Sequence, residues 1–206
     1  MDLVFFAKGL VIGLLIAAPV GPIGILCARR TLTQGRRAGF VSGLGAATAD
    51  AIYGFIAAFG LTFVSAVIFD YQSWLRAVGG LLLCILGVRT FRAEPRSDGG
   101  IRKSGRVYAG MYTSTFFLTL TNPLTIFSLA AVFAGFGLAG TKGSVLSTAV
   151  LILGVFLGSG IWWLLLVGVV SLFRRRFDTR MLVWVNKIAG LIIGGSGLLA
   201  LLSLWR

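Results

Sequence analysis

The chain has 206 residues, 57% of them hydrophobic, a formal charge of +13 and no histidine, and its mean hydropathy is +0.96. That is more apolar surface than a soluble core of this size needs, and several stretches reach the ~20 residues that cross a ~30 Å hydrocarbon layer. On a soluble protein the charge would suggest a nucleic-acid partner, but here it sits in short connectors between apolar stretches, which argues against nucleic acid and for a multi-pass membrane protein.

Hydropathy predicts six helices, over about 3–28, 38–63, 73–90, 107–136, 145–172 and 182–204. Closed-barrel strands would be shorter and would alternate, so helices are favoured. The first apolar run, from Leu3, lacks a basic leader and an obvious small-residue cleavage site, and reads as a retained span. The fourth is long enough to be tilted or broken. The connectors differ in charge. Arg29, Arg30, Arg36 and Arg37 follow span one; Arg89, Arg92, Arg96, Arg102, Lys103 and Arg106 follow span three; Arg174, Arg175, Arg176 and Arg180 follow span five. The opposite connectors hold only Asp70 with Arg76, and Lys142. Loops one, three and five are therefore expected in the cytoplasm and both termini outside. The arginines read chiefly as topology and headgroup contacts; contact with an anionic group of a solute is the lesser reading.

An internal repeat is visible. Trp74 to Gly87 and Trp184 to Gly197 align at an offset of 110, which pairs Gly80 with Gly190 and Gly87 with Gly197. Spans one and four also echo one another, through Pro19-Val20-Gly21-Pro22 and Thr121-Asn122-Pro123. Three spans per half would invert the second half across the bilayer, a recurring transporter plan. The expected fold is an all-α integral membrane protein of six transmembrane helices arranged as two inverted three-helix repeats. Residues 1–206 form one transmembrane domain, with 1–90 as the first half, 91–106 as a cytoplasmic basic loop and 107–206 as the second half.

Asp50 carries the chemistry. It is the only carboxylate deep in an apolar stretch; Asp2, Asp70, Glu94, Asp98 and Asp178 lie in termini or connectors. A charge at membrane depth costs roughly 2.5–3.5 kcal/mol on insertion scales and usually faces a solute or ion path. About 12 residues separate Asp50 from the inner end of its span, roughly 18 Å at 1.5 Å per residue, which is near mid-membrane. It could pair with a cationic group, carry a proton, or serve only helix packing. Tyr53, one turn on, could share its face. Pro19 and Pro22, with Gly21 between them, should break span one, and Pro123 span four. Such breaks free carbonyls for an ammonium group or cation, and amides at a half-helix N-terminus for a carboxylate. Thr121 and Asn122, with Thr119 beside them, either re-satisfy the broken backbone or line a cavity. Glycines four apart, at Gly9 and Gly13, Gly39 and Gly43, and Gly154 and Gly158, read as close helix packing. Cys27 and Cys84 show neither disulfide nor metal spacing and read as packing. Lys187 and Arg76 should snorkel to the two surfaces; Trp74, Trp184 and Trp205 read as interface anchors, with Trp162 and Trp163 deeper.

These motifs, with the length, the six spans and the glycine-rich run from Gly190 to Gly197, resemble the LysE/RhtB family of amino-acid exporters. The resemblance covers nearly the whole chain. It implies a secondary exporter in the bacterial cytoplasmic (inner) membrane, moving amino acids or similar small metabolites outward on the proton or ion gradient. Pro19, Gly21, Pro22, Asp50, Asn122 and Pro123 would be its mechanistic residues, and a homo-oligomer is compatible with so small a transporter. The family often has Asn before the first proline, where this chain has Ala18, so a polar contact at the first break is missing. The expected partners are a small solute and membrane lipids, without cofactor, metal or nucleic acid. Efflux of a metal or another ion is the competing reading, weakened by the lack of histidine and by the single deep carboxylate. An enzyme would need an acid–base or nucleophile cluster, which is not evident. A scaffold has little use for a central aspartate beside broken helices.

Overall fold

The computed structural model describes residues 2–19, 21–60, 72–94, 104–122, 125, 145–174 and 177–205. These form α1 (Asp2–Ala17), α2 (Pro22–Gln34), α3 (Arg36–Gly60), α4 (Gln72–Phe91), α5 (Gly105–Leu120), α6 (Val145–Phe173) and α7 (Thr179–Leu202), closed by a 3-10 turn at Ser203–Trp205. The fold is all-α. Among the described residues three segments, Arg36–Ile56, Leu146–Phe173 and Thr179–Leu202, are long and apolar enough to cross a membrane; the bent α1–α2 pair makes a fourth if it is one span.

The prolines act as chain breakers. α1 stops at Ala17, and α2 starts at Pro22 in a direction 82° away. Pro22 sits at the first helical position, where its missing N–H costs nothing and its fixed φ suits the helix. At two other helix starts a side chain takes up an amide that helix geometry leaves unbonded. Ser104 accepts from Arg106 N at 3.2 Å, and Asp178 accepts from Met181 N at 2.7 Å.

The first connector is shorter than hydropathy predicts. Arg29 and Arg30 are not loop residues. α2 runs on to Gln34, and Gly35 alone turns the chain into α3, with φ +98° and ψ 167°. That conformation is essentially restricted to glycine. The helix carries both arginines inward because their guanidinium groups find hydrogen-bond acceptors inside the bundle. Arg36 and Arg37, at the start of α3, are exposed as expected.

Packing is set by glycines. Gly9 lies on the Leu151 carbonyl and Gly13 on the Val155 carbonyl, so α1 and α6 run parallel. Gly80 meets the Gly197 carbonyl and Gly87 meets Gly190 and Gly194, so α4 and α7 are antiparallel. α3 lies between α5, which it parallels through Gly45 on the Tyr112 carbonyl, and α6, which it opposes through Gly43 on Trp163. A Cβ at any of these glycines except Gly194 would strike its neighbour. Close backbone approach replaces the hydrophobic drive that lipid does not supply. Ala46, Ala47, Leu26, Cys27, Leu118 and Ile193 fill the centre, while Leu3, Trp74, Leu172 and Leu199 face outward, each at least 70% exposed. Cys27 and Cys84 are free.

Candidate translocation site

The break between α1 and α2, the end of α5 and Asp50 meet at one cavity of about 30 Å³, walled by Pro19, Gly21 and Gly24 from the break, Asp50 from α3, Thr119, Asn122 and Thr125 around the end of α5, and Trp163 from α6. Ile16, Ala17 and Ile23 complete its apolar side. The volume holds a water or two.

Asp50 is 2% exposed. It is set among Ala46, Ala47 and Ala49, all fully buried, whose small side chains let α3 lie deep in the bundle. Ser159 donates its hydroxyl proton to Asp50 Oδ2 at 2.6 Å, joining α3 to α6. The break after α5 is held by its own polar groups. Asn122 N donates to the Thr119 carbonyl at 3.2 Å, Thr125 N donates to the Asn122 carbonyl at 3.1 Å, and Asn122 Nδ2 donates to Thr125 Oγ1 at 3.1 Å. At the other break Gly21 caps α2 without a side chain. Helix geometry leaves the amides of Ile23 and Gly24 without intrahelical acceptors, and both residues line the cavity.

The structure thus gathers Pro19, Gly21, Asp50 and Asn122. Pro22 begins α2 just behind the lining. Tyr53 does not line the cavity: it is buried and donates to the Leu120 carbonyl, which braces the end of α5. Thr121 also turns away, donating to the Phe117 carbonyl at 2.8 Å and packing against Gly79. Its role is to close the helix end. Pro123 lies outside the described residues.

Ser159, Thr125 and Trp163 are additions that the sequence reading did not assign to the site. Ser159 had a weak signal, as an isolated hydroxyl between Gly158 and Gly160. A second polar layer lies along α2. Arg30 Nη1 donates to Ser42 Oγ at 2.8 Å, the Met111 carbonyl at 2.9 Å and Thr115 Oγ1 at 2.8 Å, and Nη2 donates to Ser114 Oγ at 2.9 Å. Arg29 Nε donates to Asn186 Oδ1 at 2.7 Å, and Asn186 Nδ2 donates to the Ala93 carbonyl at 2.7 Å. All these acceptors are neutral. The two arginines bolt α2 to α3 and α5 on one side and to α7 and the end of α4 on the other. Asn186, 2% exposed, therefore belongs to this buried layer. Lys187, one residue on, is exposed and sits 5.4 Å from the Trp184 ring centroid. Among the described residues no three of His, Cys, Asp or Glu gather as metal ligands.

Apolar helices packed around a buried carboxylate beside a helix break are compatible with a membrane translocator of small solutes. The profile of the LysE type translocator family matches residues 14–204, and the chain belongs to that family. It is 30% identical over 190 residues to the "Putative amino acid efflux protein YcgF" of Bacillus subtilis (strain 168), an alignment covering 90% of this chain and 89% of that protein. No solved structure matches the chain. Its class is small-molecule efflux across a bacterial membrane, and it is a transporter rather than an enzyme.

Proposed function

We propose that the chain exports amino acids or closely similar metabolites from the cytoplasm, driven by the proton-motive force, through six spans arranged as two inverted halves. The observation that carries this reading is the convergence of the α1–α2 break and the end of α5 on Asp50 in one cavity. A carboxylate there suits a solute ammonium group or a transported proton. Uncapped amides at the start of α2 suit a carboxylate. An amino acid presents both charges. The similarity to a Bacillus protein named for amino acid efflux points the same way.

The two-half reading is supported by matched packing. Gly45 lies on the Tyr112 carbonyl and Phe116 N, and Gly154 lies on the Phe6 carbonyl and Leu10 N. These are the same contacts made twice, with α1 answering to α5 at an offset of 106 and α3 to α6 at 109. α4 answers to α7 at 110: Gly80 meets the Gly197 carbonyl, and Gly87 meets the Gly190 carbonyl. On this plan residues 1–90 and 107–206 are the halves, 91–106 is the basic cytoplasmic link, and Asp50 and Ser159 hold equivalent positions on the pseudo-two-fold axis. The bent α1–α2 pair then serves as an interrupted span of the first half. A cavity of about 30 Å³ has room for a water or two, and on this reading it widens by alternating access of the two halves to take the solute.

Efflux from preloaded proteoliposomes tests this, with an imposed proton gradient, a labelled amino-acid panel, and Asp50→Asn beside wild type. Gradient-dependent efflux of one amino-acid class, lost in Asp50→Asn at equal incorporation, is the expected result. Absence of amino-acid movement by folded wild type would overturn the reading in favour of an ion or another metabolite.

A further inference from the structure

Among the described residues, Trp163 is the one cavity-lining residue whose side chain has a buried polar atom without a partner. The side chain is 5% exposed, it lines the cavity with Asp50 and Asn122, and its Nε1 has no hydrogen-bond acceptor. An indole N–H can only donate, and a donor left unsatisfied inside a protein costs free energy that an acceptor brought by a ligand would recover. The ring is held in place rather than adrift: a Cβ at Gly43 would lie 2.9 Å from Trp163 Cγ, so α3 lies flush against the indole. Trp163 is one helical turn beyond Ser159, the donor to Asp50, and shares its face of α6.

The other polar side chains of the cavity are engaged. Asp50 accepts from Ser159, Asn122 donates to Thr125, and Thr119 donates to the Thr115 carbonyl. An anionic solute group is repelled by Asp50 and drawn to a donor without charge of its own. The N-terminus of α2, positive by its aligned peptide dipoles, opens into the same cavity. We infer that the indole N–H of Trp163, aided by the first amides of α2, receives the solute's carboxylate and so selects amino acids over amines. The inference rests on the exporter reading above and adds to it a specificity-determining residue and the group that residue recognises.

The test is exchange in proteoliposomes of labelled L-threonine, L-lysine and L-leucine beside threoninol, lysinol and leucinol, which keep the ammonium group and lose the carboxylate. Trp163→Phe keeps the ring and removes the N–H. Its expected effect is a rise of about tenfold in KM for the transported acid, the loss of one hydrogen bond to a charged group, with KM for its amino alcohol unchanged. Trp162→Phe is the control; Trp162 Nε1 is equally orphaned but lies outside the cavity lining, and neither KM should move. An equal rise for acid and alcohol, or no rise for the acid, overturns the inference.

Should wild type move none of the six solutes, the exporter reading fails and Trp163 is judged by a second measurement. The indole resonance of Trp163 in nitrogen-15-labelled, detergent-solubilised protein is followed against sodium acetate and sodium chloride. A saturable downfield shift with acetate alone sustains the carboxylate site; an unmoved resonance overturns it. If Trp163→Phe does not fold, the resonance is assigned by elimination from Phe variants of the other four of the five tryptophans, and the acetate titration decides.

Discussion

Ser159 and Asp50, 109 residues apart in the chain, share a hydrogen bond of 2.6 Å in the interior, with Ser159 fully buried. The serine donates and the carboxylate accepts, so the bond orients the one deep acid and ties α3 to α6. Ser159→Ala removes the donor without adding bulk. A charge-assisted hydrogen bond is worth roughly 1.5–3 kcal/mol, so the transport rate at fixed gradient should drop at least tenfold. Ser159→Thr, which keeps a hydroxyl, should recover part of it. Initial efflux rates of the three proteins at matched incorporation check this.

Arg30 gives a prediction about stability. Its planar fork reaches four neutral acceptors on α3 and α5, a pattern that a lysine ammonium cannot copy. Arg30→Lys should lower unfolding stability by about 2–3 kcal/mol, since several bonds to a buried charge are lost or bent. A denaturant midpoint unchanged from wild type would show that the guanidinium contacts contribute nothing to holding α2.

Gly35 is the whole of the turn between α2 and α3. Its φ of +98° with ψ of 167° is forbidden to residues with a Cβ except under strain of about 1–3 kcal/mol. Gly35→Ala should therefore reduce thermal stability by that amount, or lengthen the turn by unwinding the end of α2. Unwinding would draw Arg29 and Arg30 out of their contacts. Melting curves, with protease susceptibility near residue 35, separate the two.

Asp50, Pro19 and Gly21 were legible in the sequence because each carries a local penalty at membrane depth. A carboxylate is costly there, and a proline removes a donor where no water can replace it. The packing glycines were legible for the same reason, since spacing alone puts them on one helix face. Ser159 and Trp163 were not assigned to the site because a hydroxyl or an indole in an apolar helix is compatible with plain packing. Their part in the cavity depends on how α6 lies against α3, across more than a hundred residues. Arg29 and Arg30 were misplaced because hydropathy counts a guanidinium as solvent-bound. Only the folded bundle reveals the serine, threonine, asparagine and carbonyl acceptors that let α2 keep them inside. Tyr53 and Thr121 lie beside the site along the chain, and their hydroxyls donate to the carbonyls of Leu120 and Phe117.

The α1–α6 contact makes the clearest contrast between glycines. Gly158 lies on the Leu10 carbonyl, so any Cβ would overlap the backbone of α1. Two residues on, Gly160 has nothing within 4 Å of the place its Cβ would take. Gly160→Ala should be neutral or stabilise by up to about 1 kcal/mol, because alanine favours the helix. Gly158→Ala gains the same helical preference but must push α1 away, and overpacking costs typically 1–3 kcal/mol. The rigid backbone in its path places it toward the upper end. α1 leads directly into the first break, so a displaced α1 shifts Pro19 and Gly21 relative to Asp50. Gly158→Ala should thus lose transport as well as stability, whereas Gly160→Ala keeps both. Melting temperature and efflux rate, measured side by side on the two alanine variants, decide whether this close contact positions the site or only holds the bundle together.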